Sequence, residues 1–225
     1  RRGAAADTAQ AKAREELVQS ALDELEPLCR RAPTVERLSL LGSTRKRHAL
    51  VATTPAARLE ALDACAKAYR EAFEAGGSQD AYPFTNWASA VLLAAHLDAA
   101  HPGLPPSVLE KELPRLRAGL QKRGGRNPDF WTAASLADLD LVMLLAHSLP
   151  AAEPAPRGRK RAAEATDTCA ALTEQILATY RDALARGASP RERASLVENL
   201  DALRALLEGG PPVLGERLRR IRDAI

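Results

Sequence analysis

The chain has 225 residues, of which 46 % are hydrophobic but only 4 % aromatic, and a net charge of +3, a length that admits one large or two modest domains. The near balance of 32 basic and 29 acidic residues lacks the basic bias of a nucleic-acid-binding domain. Cys29, Cys65 and Cys169 lie far apart with no CxxC pair, which argues against a zinc site or a disulfide framework and for a reducing, cytoplasmic setting.

Ala and Leu dominate the apolar set, and only six of the basic residues are Lys. That mixture favours close-packed helices over sheet and reads as the bias of a GC-rich genome. No signal peptide and no apolar run near the ~18 residues of a membrane span is read from the sequence. The chain begins at Arg1 rather than Met, which reads as a piece of a longer polypeptide.

In chain order, residues 8–31 carry Leu17, Leu22, Leu25 and Leu28 between charges, the pattern of an amphipathic helix. Pro27 is expected to kink it or shorten its last turn. Thr34 can cap a second helix over about 35–52, whose first half, with Leu38, Leu40 and Leu41, reads as packed. Thr53-Thr54-Pro55 opens a third, ending near Ala75, with Leu59, Leu62, Ala66, Tyr69 and Phe73 on one side. The turn Gly76–Asp80 leads to an apolar helix over about 83–100, ended by His101–Pro106. Ser107 with Glu110 predicts a capping box for a helix running to about Lys122, with Pro114 a second kink site. The loop Arg123–Asp129 precedes a strongly apolar helix over 130–148.

Residues 150–161 are Pro-rich and then basic, and read as an exposed linker. Helix 163–186 follows, and Ser189, Pro190 and Glu192 supply an N-cap, an N1 proline and an N3 carboxylate for helix 191–208. A short helix over 213–224 closes the chain. The expectation is an all-α fold of eight or nine antiparallel helices stacked as hairpins. Its organisation is a helical array over 1–150, a linker over 151–162, and a C-terminal hairpin with a short helix over 163–225 packed on the array.

Leu38, Leu41 and Gly42 have the spacing of the first helix of a tetratricopeptide repeat. The matching second-helix element, Tyr-x-x-Ala, occurs as Tyr69–Ala72 and again as Tyr180–Ala183. The sequence therefore resembles degenerate tetratricopeptide repeats over about 34–100 and more faintly over 165–208. Arg45 departs from the family pattern, where Tyr is usual, and Gly42 and Tyr69 are further apart than a 34-residue unit allows. Tyr82–Ala90 looks like the next first helix, with Asn86 in the Gly position. "LLGSTRKR" and "YPFTNWA" also resemble degenerate repeat regions of bacterial multidomain proteins, including those beside caspase-like proteases in defence systems.

The resemblance implies an α-solenoid whose first helices line a concave groove. Ser43, Lys46 and Arg47 then point into it, after Glu36 and Ser39. Such a groove can clamp a carboxylate by charge-assisted hydrogen bonds, whereas the alternative reading of Arg45–His48 is a solvated helix face. Trp87, in the next first helix, joins Ser43, Lys46 and Arg47 as a candidate partner-binding residue, against the ordinary alternative of burial, which is also the expectation for Trp131.

No catalytic constellation is legible. Ser43 lacks a nucleophile elbow, the three cysteines read as core fillers, and His96, His101 and His147 lack metal spacing. Arg123–Pro128 is no P-loop, and Asp138 and Asp140 diverge on a helix. The functional expectation is a non-enzymatic scaffold without cofactor or metal, binding a protein or peptide partner, a protease or another domain of the parent chain included. Two alternatives stand beside it. One is a protease-system substrate or regulatory subunit, cut or bound by a caspase-like protease. The other is a nucleic-acid-binding helical domain, for which the loop cluster Arg157, Arg159, Lys160 and Arg161 could touch phosphates.

Overall fold

The computed structural model describes residues 2–149 and 159–225. Among these residues there are nine helices and no strand: α1 (Arg2–Arg31), α2 (Val35–Val51), α3 (Pro55–Ala75), α4 (Ala81–Leu97), α5 (Pro106–Gly124), α6 (Phe130–Ser148), α7 (Arg159–Ala185), α8 (Pro190–Leu206) and α9 (Pro212–Asp223). The all-α architecture of stacked hairpins is as the periodicity predicts. The chain forms two compact units, one through Leu97 and the other from Asp98. Helices α5 and α6, grouped by sequence with the preceding array, lie in the second unit.

Helix borders follow local chemistry. The Thr34 hydroxyl accepts from the Arg37 amide at the start of α2, and Thr54 caps α3 ahead of Pro55 at N1. At α8 the Ser189 hydroxyl accepts from the Glu192 amide while the Glu192 carboxylate accepts from the Ser189 amide, completing the capping box. These contacts satisfy amides that the first turn leaves without intrahelical partners. The box expected at Ser107 does not form. Pro105 occupies the N-cap of α5 and Pro106 the first helical position, where the fixed φ and missing N–H of proline suit the turn. Helices α1 and α5 run through Pro27 and Pro114. Helix α7 begins at Arg159, before the expected 163; residues 150–158 of the linker, Arg157 among them, lie outside the described residues.

In the first unit α1 packs on α2, α2 on α3 and α3 on α4. The α2–α3 contact rests on Gly42. A Cβ at this position would stand 2.6 Å from Tyr69 Cδ2, so only hydrogen lets the ring lie against the α2 backbone. Tyr69 is fully buried. Leu38 packs with Cys29 of α1 and Ala72 of α3, with Leu41 against them. Leu40 departs from the expected packing and is 51 % exposed. It lies about 200° around the helix from Leu38. In α1, Leu22 and Cys29 are buried, whereas Leu17 and Leu28 are exposed.

In the second unit α6 packs on α5 and α7, and α9 on α7 and α8. Among the described residues α6 is the one helix long and apolar enough to cross a membrane, a length and composition missed in the sequence reading; 56 % of its apolar window is buried within the fold. Asp140 is buried in it, ion-paired with Arg117 of α5 and accepting from Gln175 Nε2 of α7 at 2.9 Å. Asp138 accepts from the Tyr180 hydroxyl of α7 at 2.5 Å. The two carboxylates leave α6 in different directions, yet both meet α7, because Gln175 and Tyr180 are long enough to reach them. Trp131, expected in the core, is 49 % exposed, with Phe130 packed edge-on against it.

Candidate functional site

The polar face of the first unit grows from the Gly42–Tyr69 contact. With Tyr69 laid across α2, its hydroxyl emerges beside Ser43, whose side chain hydrogen-bonds it. The same hydroxyl meets the Tyr82 hydroxyl of α4 at 3.2 Å, and the two rings are T-shaped with centroids 5.9 Å apart. One turn beyond Ser43, Arg47 Nη1 donates to Ser43 Oγ at 2.8 Å. Lys46 Nζ crosses to α4 and donates to Asn86 Oδ1 at 2.7 Å, while Asn86 Nδ2 donates to the Tyr82 carbonyl at 3.0 Å. A continuous polar chain thus joins Arg47, Ser43, Tyr69, Tyr82, Asn86 and Lys46 across three helices.

Exposure sorts these residues into support and open surface. Tyr69 is buried, Ser43, Lys46 and Asn86 are half-buried, Arg47 is exposed and Tyr82 is 48 % exposed. Burial pushes the Tyr69 hydroxyl far above its ordinary range, and the neighbouring Tyr82 adds to this, so it stays protonated and can donate. Beneath Lys46, burial pushes the Cys65 thiol up to about 12, against the opposing pull of the Lys46 charge. That thiol is no thiolate nucleophile at neutral pH. Glu36 stands at the other end of the face. Its backbone amide and then the Thr34 side chain hold its carboxyl below the ordinary carboxylate range, so that end carries a negative charge.

Of the expected site residues Ser43 and Arg47 are joined directly, whereas Lys46 turns to Asn86 of α4 and connects to them through Tyr82 and Tyr69. Trp87 stands on a different side of α4. Its ring packs on Phe73 and edge-on to Phe84, with the Arg70 guanidinium carbon 5.6 Å from its centroid. Arg45, at the position where the repeat pattern departs, faces away from this surface and ion-pairs with Glu26 of α1. Tyr82 and Asn86 complete the face, although sequence reasoning had not assigned them there. Their signal was the helical step from 82 to 86 in the segment that resembles a first helix. No group of three or more His, Cys, Asp or Glu side chains that could hold a metal occurs among the described residues.

The successive packing of α1 to α4, the glycine contact and the Lys46–Asn86 link from α2 to α4 fit a tetratricopeptide-repeat-like helical region. Residues 3–93 match the family model described as Tetratricopeptide Repeats-Sensor (TPR-S), a span that covers α1 to α3 and most of α4. No curated protein and no solved structure matches the chain. Repeats of this type are generally protein-interaction modules without enzymatic activity.

Proposed function

We propose that the protein is a non-enzymatic interaction module that captures an acidic segment of a protein partner on the open face of α2 and α4. The observation that supports this reading is that one hydrogen-bonded network carries two cations, Arg47 through Ser43 and Lys46 through Asn86. Arg47 is exposed, and donating Nη1 to Ser43 leaves most of the guanidinium's five donors for a ligand. Lys46 is aimed at the same face by Asn86. Charge-assisted hydrogen bonds to a carboxylate are about twice as strong as neutral ones. Because Tyr69, Tyr82 and Ser43 already hold the face rigid, docking costs less ordering entropy. Trp87 serves the site by fixing α4 against α3.

The double substitution Lys46→Glu plus Arg47→Glu tests this reading. Affinity capture from extract of the source cells, read by quantitative mass spectrometry, is expected to lose the specific partner at least about tenfold, with helicity and melting unchanged. Equal recovery by the wild type and the folded variant removes this face from the account.

A further inference from the structure

Helix α1 presents two faces, and only one of them is covered. Leu22 and Cys29 are buried, Cys29 against Leu38 and Ala72. About a third of a turn away, Arg14, Leu17, Ala21, Glu24, Leu28 and Arg31 recur at alternating intervals of three and four residues, which places them on one stripe. Leu17 is 72 % exposed and Leu28 47 %, and Ala21 is half-buried. Half-buried Val18 and Leu25 continue this apolar surface toward the core. The intervals are those of heptad a and d positions, the seam by which one helix packs along another. Elsewhere on α1 the polar groups are answered within the helix, Lys12 by Glu16 at 3.8 Å, Arg30 by Glu26 at 3.8 Å and Gln19 by Asp23 at 2.8 Å. Arg14 and Glu24 stand in the seam itself, about 15 Å apart along the axis and out of each other's reach.

We infer that α1 is a self-association surface, on which two copies of the chain pack their α1 helices antiparallel about a twofold axis near Gln19, with Arg14 of each copy against Glu24 of the other. The charges choose this arrangement. Two antiparallel registers cover both Leu17 and Leu28 within the stretch from Gln10 to Arg31. The first sets Leu17 against Ala21, Leu28 against Gln10 and Arg14 against Glu24, each twice by symmetry. The second sets Leu17 against Leu28 but Arg14 against Arg31. A parallel pair in register sets Arg14, Glu24 and Arg31 each against its own copy. Opposite charges meet in the first alone, and like-charge contacts disfavour the other two. Charged side chains within a seam fix its register and lower its affinity. The seam from Gln10 to Leu28 is about 27 Å long. One helix pair of that length buries less than the roughly 1,600 Å² of a standard interface, so a reversible dimer with a Kd in the micromolar range is expected. None of these residues belongs to the α2–α4 network, and the inference does not rest on the interaction reading above.

Sedimentation equilibrium of the whole chain between about 1 and about 300 µM tests it, with a monomer–dimer equilibrium as the expected result. Arg14→Glu or Glu24→Arg alone should weaken the dimer at least about tenfold, since each creates two like-charge contacts in the seam. An equimolar mixture of these two variants should regain the wild-type affinity as a heterodimer, because the opposite charges are then restored at both contacts. Leu17→Asp should weaken the dimer about tenfold. All three positions are exposed, and unchanged melting at the lowest concentration confirms that each variant keeps its fold. A chain that stays monomeric throughout the range, a dimer indifferent to Arg14→Glu, or mixed variants that do not regain affinity each overturn the inference.

Discussion

Replacing Gly42 with Ala tests the contact on which the open face is built. The added Cβ would stand 2.6, 2.7 and 2.9 Å from Tyr69 Cδ2, Cε2 and Cγ, whereas carbon atoms in contact normally sit about 3.5–4.0 Å apart. The ring cannot swing aside easily, because it is fully buried and its hydroxyl is tied to Ser43 and Tyr82. Separation of α2 from α3 by about 1 Å is the remaining escape, at the upper end of the roughly 1–3 kcal/mol that overpacking costs. Exchange of Gly for Ala inside a helix returns about 1 kcal/mol, so a net loss of about 2 kcal/mol is expected.

Gly215 of α9 is the internal control. A Cβ there meets nothing within 4 Å, and Gly215→Ala should gain up to about 1 kcal/mol. Urea unfolding followed by far-ultraviolet circular dichroism reads both. Combining Gly42→Ala with Tyr69→Leu should recover at least about 1 kcal/mol relative to the sum of the single effects, since the two positions are in direct contact. A Gly42→Ala protein as stable as the wild type would refute the close-contact reasoning.

Two further outcomes concern buried charge. Arg117→Met strands the Asp140 carboxylate between α5 and α7 and should cost about 3 kcal/mol, while Arg117→Met with Asp140→Leu should restore most of it; urea unfolding of the two variants decides. Alkaline pH should destabilise the fold through Cys65, Tyr69 and Tyr180, all raised by burial above their ordinary values. Their folded forms hold protons that the unfolded chain releases, so the stability they supply is complete below the unfolded values of 9.0 for the thiol and 10.0 for the phenols. It declines as pH rises beyond them, with a slope of up to about 1.4 kcal/mol per pH unit per group. Cys65→Ala should flatten the decline in urea midpoint between pH 9 and about 12, and an unchanged slope counts against the buried thiol.

Much of the architecture was legible because helix borders are local chemistry. Thr34, Thr54-Pro55 and Ser189-Pro190 with Glu192 each name their own helix start. Ser107 misled because the prolines just before it begin the helix first. Faces were harder. In the run from Leu38 to Leu41 composition alone does not say which leucine turns outward, and the answer comes from Gly42 fixing α2 against Tyr69. The repeat-like pattern singled out Gly42 and Tyr69, which meet, while its expectation for Ser43, Lys46 and Arg47 did not include the reach of Lys46 to α4. Tyr82 and Asn86 were not placed at the site, since their roles arise from contacts with Tyr69 and Lys46 that no local spacing encodes. Asp138 and Asp140 looked divergent on one helix until the length of Gln175 and Tyr180 brought both to α7.

The most direct test of the interaction face is to titrate the isotope-labelled chain with an acidic peptide from the captured partner and follow backbone amide and side-chain shifts by nuclear magnetic resonance. Saturable perturbations centred on Ser43, Lys46, Arg47, Tyr82 and Asn86 are predicted. Perturbations confined to the second unit, with these residues unmoved, would contradict the account.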